Sequence, residues 1–149
     1  MTRRVLLLSL SASMLVAATA CGGGDTGTSP SSNLPPTGTA AYSQTDLRVG
    51  TGTEVASGQT VTVIYTGWLY SNTAAENKGT VFNGPNQRAQ FSLNSVIAGW
   101  RQGIPGMRIG GVRRLVIPPE LAYGSNTPDP RVIPPNATLL FEVELVSIP

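Results

Sequence analysis

The chain has 149 residues, no histidine and a single cysteine, Cys21. That removes the base from any Ser-His-Asp or Cys-His triad, the usual nitrogen and sulfur ligands from a zinc site, and any intrachain disulfide. The formal charge of +2 includes Arg3 and Arg4 of an apparent leader; without them eight basic side chains face eight acidic ones, which argues against a nucleic-acid partner.

In chain order, residues 1–20 carry two arginines, an apolar run from Val5 to Val16 and small residues after it. This is a secretory signal layout, too short for a transmembrane helix. Ala18-Thr19-Ala20-Cys21 resembles a bacterial lipobox, with Ala18 in place of the usual leucine. Cys21 is thus the expected lipidation site, and a membrane is the first expected partner. Glycine rather than aspartate at position 22 favours an outer-membrane destination if the cell is Gram-negative. Residues 21–45 read as a flexible tether, since fifteen of the twenty residues from 22 to 41 are Gly, Ser, Thr or Pro.

Residues 46–149 read as one folded domain. Short strands are expected at Leu47–Val49, Val81–Phe82 and Gln90–Leu93. Val61–Leu69 alternates as a strand, with Val61, Val63, Tyr65 and Leu69 facing a core. In residues 94–106 the apolar positions Val96, Ile97, Trp100 and Ile104 have helical spacing, Asn94 or Ser95 can cap the start, and Gly103 with Pro105 ends it. Val112–Ile117 is a strand stopped by Pro118-Pro119. Thr138–Ile148 is the last, with Leu139, Phe141, Val143 and Leu145 inward and Leu140, Glu142 and Glu144 on a solvated face. Glu120, Arg113 and Arg114 read as surface. The fold class is α+β: an antiparallel sheet wrapped over one short helix. Between the last two strands lies AYGSNTPDPRVIPP, a loop stiffened by four prolines with Tyr123 at its entrance.

The segments VIYTG (63–67), VFN (81–83), VIAGW (96–100), GIPGMRIG (103–110), LAYG (121–124) and IPPNATLLFEVEL (133–145) follow one another in this order. Together they resemble the FK506-binding protein (FKBP) family of peptidyl-prolyl cis-trans isomerases over nearly all of residues 46–149. The resemblance implies an antiparallel half-barrel around one helix, with a pocket between helix and sheet. It implies Tyr65 and Phe82 as walls, Asn83 as the partner of Tyr65, and Val96 and Ile97 at the helix start. It implies Trp100 as floor, Tyr123 at the rim, Val132 and Ile133 on the far loop, and Phe141 at the back. Substrates would be proline-containing polypeptides, ligands FK506- or rapamycin-like macrolides, and the protein a monomer in the bacterial cell envelope that needs no cofactor or metal.

The chain departs from the family pattern at several points. Asn83 stands where an aspartate is usual, and would accept a hydrogen bond from Tyr65 without carrying charge. Ala89 replaces an aromatic two residues before Phe91, Arg88 is the candidate for a family arginine in a shortened loop, and residues 70–80 are longer. Asp129 or Pro130 falls where a histidine is common. Asn83 and Ala89 keep open a second reading, a peptide-binding FKBP-like module without useful turnover.

Overall fold

A computed structural model describes residues 38–149 of the chain. Cys21 and the leader lie outside the described residues. Five strands and one helix form the domain: β1 (Ser43–Arg48), β2 (Thr60–Tyr70), β3 (Lys78–Ser92), α1 (Ala98–Gly103), β4 (Val112–Ile117) and β5 (Leu139–Ser147). The sheet runs β1-β4-β5-β2-β3, and every neighbouring pair is antiparallel. This is the half-barrel over a helix that the sequence predicts.

The alternating strands fold as their patterns require. Val61, Val63, Leu69, Leu139, Phe141, Val143 and Leu145 are all buried, and with Leu115, Ile117, Trp100 and Ile104 they form one core cluster. Burying each such aliphatic side chain is worth about 1.5–3 kcal/mol of transfer free energy. β4 ends at Ile117 because Pro118 and Pro119 follow, and the chain turns there into a short 3-10 segment, Pro119–Leu121.

Four readings change. The sheet starts earlier than Asp46: β1 opens at Ser43, and Gly38 N–H already donates to Tyr70 O at 2.8 Å. Tyr42 packs against the core and its hydroxyl donates to Gly99 O at 3.4 Å. Composition marked this stretch as tether, but an edge strand needs only backbone partners, which β4 supplies. Secondly, the short strands around Val81–Phe82 and Gln90–Leu93 are parts of one 15-residue strand, β3. Register shifts against β2 between Tyr65 and Tyr70 let it continue through the polar stretch between them.

Thirdly, the helix is shorter than its apolar stripe. It begins at Ala98, after Ile97 with φ −56° and ψ 152°, and has no side-chain cap. Ser95 Oγ instead donates to Ser92 O at 2.9 Å, within the turn before the helix, and Asn94 Nδ2 donates to Gly58 O at 3.4 Å, so neither side chain caps the helix. Val96 and Ile97 therefore stand in that turn.

Fourthly, the outward face is not simply solvated. Leu140 is buried, lying between Trp68 of β2 and Val116 of β4 in the sheet register. Glu142 accepts from Arg114 Nη2 at 2.6 Å and pairs with Lys78 at 2.9 Å. Burial pushes its carboxyl upward, but the Arg114 and Lys78 bonds together outweigh that and hold it below the ordinary glutamate value. Glu144 pairs with Arg48. Arg113, read as surface, is 7% exposed. Glu120 alone of these groups is exposed as expected.

Candidate active site

A cavity of about 260 Å³ opens between α1 and the concave face of the sheet. Its floor is Trp100, the third residue of α1 and 4% exposed. Four other rings meet this indole or its neighbours edge-on. Tyr65 of β2 lies 5.1 Å from it at 89°, Phe91 of β3 at 5.5 Å and 90°, and Phe141 of β5 at 5.4 Å and 83°. Phe82 of β3 completes the wall, 5.4 Å from Phe141 at 90°. Edge-to-face pairing at these distances is favourable because a ring's positive rim meets its neighbour's negative face. The result is a wall built chiefly from ring-to-ring packing.

Three glycines make this packing possible. Gly67 is on the inward side of β2, opposite Asn83, and a β-carbon there would fall 2.6 Å from Phe82 Cζ and 3.1 Å from Phe141 Cε1. Gly99 and Gly103 put a bare face of α1 against β4. β-Carbons on them would lie 2.4 Å from Ile117 Cγ2 and 2.5 Å from Leu115 Cδ2. The helix can therefore sit close to the sheet, with Trp100 beneath the rings.

Polar groups are few. Asn83 Nδ2 donates to Tyr65 Oη at 2.7 Å, the reverse of the expected direction. The phenol accepts and keeps its own proton for another partner. Trp100 Nε1 is buried without a partner among the described residues, an orphan donor of the kind that calls for a functional explanation. Tyr123, 36% exposed, stands at the mouth, and its hydroxyl bonds to none of the described residues. Partial burial, and secondarily the nearby Tyr65, raise its pKa above the ordinary phenol value, so it remains a neutral donor. Val96 and Ile97 line the entrance above Trp100. No lining residue bears a carboxyl, an amine or a guanidinium.

The structure thus brings together Tyr65, Phe82, Asn83, Val96, Ile97, Trp100, Tyr123 and Phe141, the residues expected to do so. It does not bring in Val132 or Ile133. Ile133 is 6% exposed and belongs to the core, while Val132 is 41% exposed on the loop, away from the lining. Arg88 is exposed on β3 and also stands outside it. Phe91 and Ser95 line the pocket and were missed. The signal for Phe91 was available: it lies two residues from Ala89, on the same side of a strand as a position where an aromatic is expected.

The described residues form an antiparallel half-barrel with an aromatic cavity, lined by no charged side chain, over one short helix. The FKBP-type peptidyl-prolyl cis-trans isomerase profile matches residues 51–146. The FK506-binding protein of Neisseria meningitidis serogroup B is 44% identical over 108 residues, which is 69% of this chain and 92% of that protein. A 46 kDa FK506-binding nuclear protein of Spodoptera frugiperda is 42% identical, but the match spans only 24% of its length. The crystal structure of a peptidyl-prolyl cis-trans isomerase from Pseudomonas syringae pv. tomato superposes with a TM-score of 0.61 at 34% identity, covering 72% of this chain and 74% of that one. This chain belongs to the FKBP-type peptidyl-prolyl cis-trans isomerase family, and its folded domain is an isomerase domain of that type.

Proposed function

We propose that the cavity over Trp100 is where this isomerase holds the X-Pro bond of a polypeptide, and that the chain works outside the cytoplasm on a lipid anchor. The carrying observation is the convergence of five aromatic rings, from three strands and the helix, on a solvent-open cavity with a free phenol at its lip.

The chemistry follows from the peptide bond. Rotating it costs about 18–20 kcal/mol because resonance is lost. For X-Pro the uncatalysed exchange takes tens to hundreds of seconds, slow enough to limit folding. No nucleophile or cofactor is needed; the site has only to favour the twisted amide over the planar one. The twisted amide has lost its charge-separated form and is less polar, so a water-poor aromatic wall disfavours the planar ground state more. In this reading the pyrrolidine ring rests on Trp100, with Tyr65, Phe82, Phe91 and Phe141 around it. Tyr123 donates its hydroxyl to a substrate carbonyl while the amide turns. Asn83 orients Tyr65, and Val96 and Ile97 receive the flanking chain. The same surface would accept FK506-like macrolides, as the names of the relatives suggest for those proteins.

The anchor reading rests on sequence: a signal layout, Cys21 at its end, and a Gly/Ser/Thr/Pro-rich segment after it. Clients would be proline-containing proteins folding in the bacterial envelope, served by a monomer. Growth with radiolabelled palmitate tests the anchor, since label lost with Cys21→Ser marks that residue as lipidated. A protease-coupled assay on a short X-Pro peptide tests the site. Turnover that survives both Trp100→Leu and Tyr123→Phe would place the reaction elsewhere.

A further inference from the structure

Helix α1 has six residues, too few to hold its own geometry, yet the floor of the site depends on it. Its far end is held by Arg113. This arginine is the second residue of β4, opposite Asp46 of β1 and Val143 of β5. Its side chain is 9% exposed, and every guanidinium nitrogen donates. Nη1 donates to Gly103 O at 2.7 Å and to Pro105 O at 3.3 Å. Nη2 donates to Asp46 Oδ2 at 3.0 Å, and Nε to Asp46 Oδ1. Gly103 O is a terminal helix carbonyl, which the helix itself leaves without a partner. A cation placed there also meets the negative end of the helix dipole.

A buried guanidinium is a costly way to stabilise a fold, because its desolvation offsets most of the attraction it gains. Its fixed, planar donors are well suited to setting geometry. We propose that Arg113 is a positioning residue for the isomerase reaction, with Asp46 as its anchor. By gripping Gly103 and Pro105 it sets where α1 lies along β4, and hence where the Trp100 indole lies beneath Tyr65. The grip complements the bare Gly99/Gly103 face, which lets the helix approach β4 but, having no side chains, does nothing to fix its position along the strand. This rests on Trp100 being the floor of the substrate site.

The test uses the protein with Trp68→Phe. Trp68 lies outside the pocket, beneath Lys78 Nζ at 5.0 Å, and its removal leaves Trp100 as the one indole of the two in the sequence. Arg113→Met is then added, and work is done well below its unfolding temperature, with far-ultraviolet circular dichroism confirming the fold. Misplacing a binding group by about 1 Å can cost up to about a hundredfold. The expected result is a loss of about tenfold in kcat/KM, together with a changed Trp100 emission maximum and altered quenching by acrylamide. Asp46→Asn, which loosens the anchor but leaves the carbonyl bonds, should show smaller changes in both. If Arg113→Met does not fold, Asp46→Asn carries the same two readouts. A folded Arg113→Met protein with lower Tm but unchanged emission and unchanged kcat/KM would overturn the proposal, leaving Arg113 a structural residue only. Trp100→Leu with full turnover would instead defeat the pocket reading, and the emission of Arg113→Met would still report whether the helix had moved.

Discussion

Gly67 and Phe82 meet face to side across the β2–β3 pair, with room for no β-carbon between them: one placed on Gly67 would stand 2.6 Å from Phe82 Cζ. A methyl group there must push the ring off the pocket wall or bend β2. Gly67→Ala is therefore expected to lower stability by about 1–3 kcal/mol, the usual cost of overpacking. It should reduce kcat/KM as well, because the displaced ring either fills the cavity or opens it to water. Urea denaturation and the peptide assay, run on the same preparation, measure both.

The glycines of α1 make a similar case with opposing terms. Alanine is a better helix former than glycine by about 1 kcal/mol. On an exposed helix Gly99→Ala would stabilise; here its methyl falls 2.4 Å from Ile117 Cγ2. The clash is expected to outweigh the propensity gain, giving a net loss of about 1–2 kcal/mol. A thermal unfolding midpoint above that of the wild type would show that the helix tolerates a wider approach to β4.

Acidity should act on the fold before it acts on the site. Asp46 is held below its ordinary value chiefly by its hydrogen bonds with Arg113, and Glu142 is also depressed. A depressed carboxylate binds fewer protons when folded. Its contribution is therefore fully present above its unfolded pKa and is lost as pH falls through the folded one. The Tm should be level near neutrality and drop below about pH 4, and Asp46→Asn should flatten part of that drop. Turnover should follow a different course. The pocket holds no carboxyl or amine, and Tyr123 is raised above the ordinary phenol value. So kcat/KM should be flat from about pH 5.5 to about pH 8.5. A bell-shaped profile in that window would point to a titrating group the pocket does not contain.

The segment before Asp46 should matter to the folded domain. A chain beginning at Asp46 loses Ser43–Thr45 of β1 and the Tyr42 side chain that packs against the core beside Gly103. Its Tm is expected to fall by several degrees relative to a chain beginning at Gly38, since about 1 kcal/mol moves the Tm of a domain this size by roughly 4–8 °C. Equal midpoints would return this segment to the tether.

How much of this was legible in the sequence depended on which features write themselves in side chains. Alternation placed Val61, Val63, Phe141 and Val143 inward, and the double proline marked the end of β4, because period-two burial and a missing N–H are properties of the residues themselves. The pocket aromatics other than Phe91 were named through the order of the family motifs. The roles of Gly67, Gly99 and Gly103 were not legible, since a glycine that permits close approach looks the same as one that makes a turn. Arg113 was misjudged because a charged residue in a strand ordinarily points to water; only the fold reveals the three residues, Asp46, Gly103 and Pro105, that accept its hydrogen bonds. Val132 and Ile133 illustrate the converse. Loop geometry decided that Ile133 belongs to the core and Val132 to the surface, and loop geometry depends on packing that no local pattern encodes.

The central claim is that the rings over Trp100, with the Tyr123 hydroxyl at their lip, carry the isomerisation. The direct measurement is kcat/KM on a short X-Pro peptide for wild type, Trp100→Leu and Tyr123→Phe, each confirmed folded by circular dichroism. A lost hydrogen bond to the turning amide should lower kcat/KM about five- to tenfold in Tyr123→Phe, corresponding to about 1–1.5 kcal/mol. Loss of the floor should lower it further in Trp100→Leu. Wild-type values in both folded variants would contradict the account.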